Sequence, residues 1–431
     1  MRTPFTRFRD VVLANRSRSL FVVALALRLL VLAVRDPAYV YTENLRVGFT
    51  LSSAGYLGNP FIAPTGPTAH VAPMYPLLVA AARRIAPDEE RTILALRIVG
   101  AIAGAFNVVL LLSFARALRL PEGAGTLAAL FWVVPSFTWI ELSGEHETVF
   151  TITALLLVLI VTLRRLGAER LKVADGLVIG AAIGIGVHFS PLLLPALALT
   201  IAASLALRAR SARPPLRFFG AAACAFLVAV APYAVRNARV MGGLMLVRDN
   251  LGLELSVSNA SNAFATADAN FDSGSTMTHH PFVSVADANE MRQLGEVAYN
   301  KQRMRSALAW IGANPAAFAK LVAARAALIV VPYARRPRQH VTADVLALFA
   351  LLGFVRLWRD GYRAAGLTLL SALVGYQVIY LLIQYDIRYV YPALWLESVA
   401  AAYFLWRTLS RRTNSSVLAH GERSPLGMAR N

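Results

Sequence analysis

A single cysteine stands in 431 residues, and acidic side chains are scarce, with 24 Asp and Glu against 43 Lys and Arg. Cys224, inside the apolar run AAACAFLVAVAP, excludes a disulfide framework within the chain and reads as a buried small residue. No internal repeat of about 20 to 50 residues is visible, which excludes a solenoid, and no segment alternates like a β-barrel strand. Charged residues of both signs make up only 16% of the chain, whereas 57% of it is hydrophobic. That is more apolar sequence than one soluble core can use, so the chain is expected to be an all-α polytopic membrane protein. A net charge of +19 would point to nucleic acid in a soluble protein. Here the arginines sit in short runs between apolar segments, a pattern of membrane topology, and no nucleic-acid partner is implied.

Basic residues Arg2, Arg7, Arg9, Arg16 and Arg18 precede the first apolar segment, 19–34, which Arg28 interrupts. No small-residue cleavage site follows, so this reads as an uncleaved first span with a cytoplasmic N-terminus. Apolar runs at 92–115, 127–142, 149–163, 176–189, 191–207, 218–235, 343–355, 364–383 and 391–406 bring the expectation to about ten spans, at ~20 residues for each crossing. Arg116, Arg119, Arg164, Arg165, Arg170, Lys172, Arg208, Arg210, Arg213 and Arg217 fall at the inward ends, as the positive-inside rule asks. The run 74–82 is too short to cross and is placed as an outer interfacial helix. Parity assigns 318–331 the same role, with Lys320 and Arg325 reaching the headgroups. The expected organisation is an N-terminal transmembrane module, 1–235, with a first outer loop at 36–91. An outer loop with amphipathic helices follows at 236–340, then C-terminal transmembrane helices at 341–410 and a disordered cytoplasmic tail at 411–431.

The chemistry-bearing residues crowd the outer ends. Glu43 follows the first span, where a carboxylate could deprotonate a hydroxyl acceptor or be an ordinary loop residue. The turn Gly144-Glu145-His146-Glu147 places two carboxylates and an imidazole together without a nearby Lys or Arg. It could hold a divalent cation, orient an acceptor, or simply be solvated. His70, in the rigid loop GPTAHVAP, could face a phosphate, and His188, in GVHFSP, is a secondary candidate beside His146. The adjacent His279 and His280 make a poor metal pair. Arg388, in DIRYVYP, starts the last span, where a guanidinium suits phosphate recognition or pairs with Asp386.

Taken in order, the acidic residue after span one, GNPF followed by GPTAHVAPMYPLL, the turn GEHETVF, the stretch RDNLGLEL and the late RYVYP resemble the GT-C superfamily of membrane glycosyltransferases. The branch they are similar to is the bacterial protein-mannosyltransferase and aminoarabinose-transferase type (glycosyltransferase family 39-like). The resemblance covers most of the chain. It implies a GT-C-like bundle in the cell inner (plasma) membrane, with both termini cytoplasmic. It further implies transfer of a sugar from a polyprenyl-phosphate carrier to a lipid, glycan or protein acceptor on the outer side, commonly with inversion. Carried onto this chain, it makes Glu43 the base, Glu145 or Glu147 an acceptor or metal support, and Arg388 with His70 the phosphate contacts. A divalent cation is an open possibility. One position departs from the pattern, because Thr42 stands where the family often has the Asp of an Asp-Glu pair. Two other classes stay open: a polyprenyl-lipid transporter or flippase, and a noncatalytic lipid-binding partner in polysaccharide assembly.

Overall fold

In hydrocarbon a backbone has no water to pair with, so an apolar chain of this composition satisfies its N–H and C=O groups within helices. The computed structural model describes residues 15–35, 39–208 and 214–421. Among them the only β-pairings are two isolated bridges, Gly58 with Pro67 and Thr266 with Tyr385. Arg2, Arg7 and Arg9 lie outside the described residues, as does 422–431.

The helices are α1 (Arg16–Val34), α2 (Glu43–Ala54), α3 (Met74–Ile85), α4 (Glu89–Ala117), α5 (Glu122–Phe131) and α6 (Thr138–Leu142). There follow α7 (Thr148–Leu166), α8 (Val173–Gly186), α9 (Leu193–Ala206), α10 (Leu216–Met241), α11 (Leu251–Ser258) and α12 (Ala267–Asp272). The chain ends with α13 (Val285–Leu294), α14 (Glu296–Ala313), α15 (Pro315–Val330), α16 (Pro337–Arg359), α17 (Arg363–Gln377) and α18 (Ile387–Gly421). Among the described residues six helices are long and apolar enough to cross a membrane: α1, α4, α7, α10, α16, and α17 with its extension to Leu381. The protein is a multi-pass membrane protein. The expected spans at 176–189 and 191–207 are the 14-residue helices α8 and α9, about 21 Å each at 1.5 Å per residue. The one expected at 127–142 is broken into α5 and α6 around Pro135, whose ring cannot sit in a helix interior without losing a backbone bond.

Ion pairs gather the basic helix ends. Arg208 at the end of α9 donates to the carbonyls of Leu166, Ala168 and Glu169 beyond α7, and Arg165 pairs with Asp175 of α8 at 3.2 Å. Asp360, after α16, accepts from Arg356, Tyr403 and Arg407. Small residues let backbones touch: a Cβ on Gly180 of α8 would come 2.0 Å from the Ala222 carbonyl of α10, and one on Gly353 of α16 2.0 Å from that of Ala400 in α18.

Three expectations change. Arg325 does not reach headgroups. It is fully buried on α15, donating to Asn259 Oδ1 at 3.1 Å, to Leu382 O at 3.0 Å and to Ser258 O, so it ties α15 to the ends of α11 and α17. Lys320 is exposed as expected. Cys224 is exposed, because α10 buries only Phe218, Val230, Ala234 and Asn237. The tail expected to be disordered from 411 continues α18 to Gly421.

Beneath the outer turns lies a buried ion pair. Arg28 and Ala24 are the only buried residues of α1. The Arg28 guanidinium meets Glu141 of α6 at 2.9 Å and donates to the carbonyls of Trp132 and Val133. Tyr391 of α18 donates to the other Glu141 oxygen. Gly104 of α4 makes the room, since a Cβ there would stand 2.6 Å from Arg28 Nε. Removing one partner of a buried pair costs about 3–5 kcal/mol, because a bare charge is left behind. Arg28→Met is therefore expected to lower the melting temperature sharply in detergent, and Arg28→Met with Glu141→Leu to melt closer to the parent. Equal melting of the single and double variants would show that the pair does not carry this load.

Candidate functional site

The site is built on the turn between α6 and α7. Gly144 adopts φ 75°, a left-handed conformation that suits glycine, and the turn is held from several sides. Arg97 of α4 donates to Ser143 O at 3.2 Å, Tyr75 of α3 to Gly144 O at 2.8 Å, and Thr42 to Glu145 O at 2.8 Å. Glu145 is committed: one oxygen accepts from the Val40 N–H and the other lies 3.1 Å from His146 Nε2. Burial raises the cost of its charge, but these bonds and the Arg388 charge bring its carboxyl below the usual range. Glu147 accepts from Asn44 at 2.7 Å.

Glu43, in the first turn of α2, has no salt-bridge partner among the described residues. Burial pushes its carboxyl above the usual range, with Glu147 adding to the effect and Arg388 and Arg248 opposing it. Thr42 caps α2 through Leu45 N at 3.5 Å while its own hydroxyl proton goes to Glu145 O. An ionised Asp could do the first but not the second.

His70 closes the loop that begins at Gly58. Its carbonyl accepts from Arg248 Nε at 2.8 Å, and its ring packs edge-on to Phe61, with centroids 4.8 Å apart. Burial, with the nearby Arg248 charge, holds its imidazole well below the ordinary histidine range and therefore neutral. Arg388 is clasped by Asp386, which accepts from Nε at 3.0 Å and Nη2 at 2.8 Å. Against the cost of burial, that pairing holds the Asp386 carboxyl below its usual range.

Two cavities meet here. A polar one of about 380 Å³ is lined by Glu43, His70, Glu145, His146, Glu147 and Arg388, among others. A largely apolar one of about 450 Å³ runs between the helices, along Thr151, Leu194, Phe226, Tyr376 and Ile379. Their shared wall is His146, Glu147, Arg248, Glu254, Arg388 and Tyr389. The fold thus gathers every expected site residue except His188. That histidine caps the end of α8, its Nδ1 2.7 Å from Gly184 O and its ring against Tyr233, and it lines neither cavity. Arg248 and Glu254 were not singled out from the sequence, although RDNLGLEL contains both, whereas Asp386 is the Arg388 partner that DIRYVYP offered. Among the described residues no group of three or more His, Cys, Asp or Glu side chains is placed to hold a metal ion. The turn at 144–147 is not a preformed metal centre, since Glu145 and Glu147 already have partners.

No family model matches the chain, and no curated protein matches it. Solved structures do. An archaeal oligosaccharyltransferase, AglB from Archaeoglobus fulgidus, in complex with an inhibitory peptide and a dolichol-phosphate, aligns at TM-score 0.55 and 13% identity over 97% of this chain and 53% of its own. The Archaeoglobus fulgidus oligosaccharyltransferase tethered with an acceptor peptide containing the NVT sequon aligns at 0.54 and 15% identity, over 95% and 52%. Its apo form gives 0.53 and 13%, over 96% and 53%. The chain spans about half the length of these structures. At this identity the likeness shows the fold alone, and the chain shares the fold of these structures.

The double role of Thr42 is testable. Thr42→Asp keeps the helix cap but sets a carboxylate against the Glu145 carbonyl, among three glutamates. It is expected to cost about 1–3 kcal/mol, the penalty of leaving a buried acceptor unpaired, whereas Thr42→Ser stays near the parent. Melting temperatures of the two variants decide the matter.

Proposed function

We propose that this chain is a membrane glycosyltransferase that moves a sugar from a polyprenyl-phosphate carrier to a hydroxyl acceptor. The observation that carries this reading is the meeting of an apolar and a polar cavity at two arginines, Arg248 and Arg388. An isoprenoid chain needs an apolar channel among helices, and its phosphate needs cations where that channel ends. The sugar beyond the phosphate then occupies the polar cavity. The pairing of Arg388 with Asp386 orients its guanidinium. Arg248 holds the His70 carbonyl through Nε alone, which leaves its two terminal nitrogens for phosphate oxygens. The neutral His70 contributes no charge, so the second phosphate contact passes from His70 to Arg248.

In the reaction the acceptor oxygen attacks the anomeric carbon and Glu43 takes its proton. The bond from that carbon to the phosphate oxygen breaks, and its electron pair leaves with the phosphate, whose growing charge the arginines stabilise. Attack opposite the phosphate gives inversion with one carboxylate. Glu145 and Glu147, tied to His146, Val40 and Asn44, position the turn around Glu43. The segment 236–340 supplies Arg248 and Glu254 and caps the site. The helix ends gathered by Asp360, Arg208 and Arg165 carry the basic residues and lie at the far end of the helices from the cavities' shared wall. The positive-inside rule then assigns that basic end, with both termini, to the cytoplasm, and the site to the outer side of the plasma membrane.

Transfer assayed in nanodiscs with a panel of polyprenyl-phosphate sugars tests the reading. Glu43→Gln is expected to lower turnover about 10²-fold or more at normal protein levels. Persistence of transfer would move the base elsewhere.

The pH profile gives a second check. A base must be deprotonated, and the Glu43 carboxyl titrates above its ordinary 4.5. Activity should therefore fall as pH drops through a value higher than that of a free glutamate, and rise to a plateau above it. An acid limb at or below 4.5 would contradict the assignment.

A further inference from the structure

One wall of the polar cavity, joined to Arg248 through the His70 carbonyl, carries side chains that the transfer step does not use. There His70, Thr276 and His280 come together with Asp268, Phe271 and Phe282. Two of these residues carry unmet polar atoms: His70 Nδ1 and Thr276 Oγ1 are buried without a hydrogen-bond partner, although His70 as a whole is only 2% exposed. A buried polar atom left unpaired is costly, and a ligand that pairs it recovers that cost. His280 is oriented by the fold, because its Nδ1 accepts from the Phe282 N–H at 3.0 Å. In the neutral ring this leaves the proton on Nε2. The two imidazoles stand nearly perpendicular, with centroids 6.4 Å apart, and Phe61 packs against both. Burial disfavours the charged form of each ring.

We infer that His70, Thr276 and His280, flanked by Phe271 and Phe282, form a binding subsite for an uncharged, hydroxyl-rich sugar ring. A hydroxyl group both donates and accepts, as do a neutral imidazole and a threonine, so the two sets pair without net charge. Arg248 and Arg388 serve the phosphate in the same cavity, and the uncharged imidazoles with Thr276 suit the hydroxyls of the ring beyond it. An ammonium would want an ionised carboxylate, and burial raises the carboxyl of Asp268 on this wall above its usual range. Phe271 and Phe282 add apolar lining for the C–H side of a sugar. The volume of about 380 Å³ lies within the range of small-molecule sites, about 300–1,000 Å³. The ring bound here is either the sugar of the donor or the terminal sugar of a glycan acceptor, and its meaning in transfer rests on the reading proposed above.

The test is binding, which needs no turnover. The full chain in nanodiscs is titrated with methyl mannopyranoside, methyl glucopyranoside and an uncharged trisaccharide, with an acetylated tripeptide amide for comparison, and followed by saturation-transfer NMR. Saturable sugar binding is expected. It should be weakened about tenfold in Thr276→Val and in His280→Phe, retained in Thr276→Ser, and not matched by the peptide. Absence of sugar binding, or equal binding by parent, Thr276→Val and His280→Phe, overturns the inference. Where transfer is measurable, a rise in the donor KM alone assigns the ring to the donor, a rise in the acceptor KM alone assigns it to a glycan acceptor, and no change in either overturns the subsite. The two readings fail separately. Transfer that survives Glu43→Gln removes the proposed base but leaves Thr276-dependent sugar binding standing, and Thr276-independent binding removes the subsite but leaves the base.

Discussion

The Arg28–Glu141–Tyr391 contact carries the rest of the structure, because it lies below everything the site uses. Arg28 comes from α1, Glu141 from α6 and Tyr391 from α18, so one fully buried pair joins three helices far apart in sequence. Two charges taken out of water are tolerable only when geometry and further bonds are good, and here the carbonyls at the α5–α6 break supply them. The turn bearing Glu145 and Glu147 begins just past Glu141, and Arg388 lies in the turn of α18 that ends at Tyr391. The pair therefore sets the spacing between the carboxylates and the phosphate-side guanidinium.

Above it the carboxylates divide by environment. Glu145 and Asp386 are paired with His146 and Arg388 and pushed down, while Glu43, with no ion pair among the described residues, is pushed up. Neighbouring acids whose affinities for protons are driven apart can take different roles. The paired ones hold position, and the one without an ion pair is left to exchange a proton. Thr42 fits this division. By donating to the turn it does structural work that a second carboxylate at that position could not do.

Much of this was legible in the residues. Apolar run length marked the crossing segments, basic runs marked their shared end, and the grouping of Glu43, Glu145, Glu147 and Arg388 at the other end followed from alternation alone. What stayed hidden depends on which way a side chain faces. Arg325 resembles a headgroup anchor in a list of residues, yet it satisfies carbonyls at the ends of two other helices. His188 lies just past the C-terminal end of α8 and turns to its own backbone. Cys224 sits in an apolar run on a helix that faces mostly outward. Arg248 and Glu254 lie in a stretch that bonds His70 and shares a cavity wall with Arg388 across more than a hundred residues of sequence.

The roughly ten spans expected from apolar runs exceed the six helices that are long and apolar enough to cross among the described residues. By itself, the sequence determined the solvent this protein lives in, its helical class and the end at which polar groups collect. All of these follow from composition and from the length of hydrocarbon that a helix must cross. Only the tertiary structure decided which acid has partners and which does not, that two cavities share a wall at two arginines, and that His70 is neutral. Charge state and cavity shape are properties of surroundings. Surroundings are assembled from distant segments, and no local pattern records them.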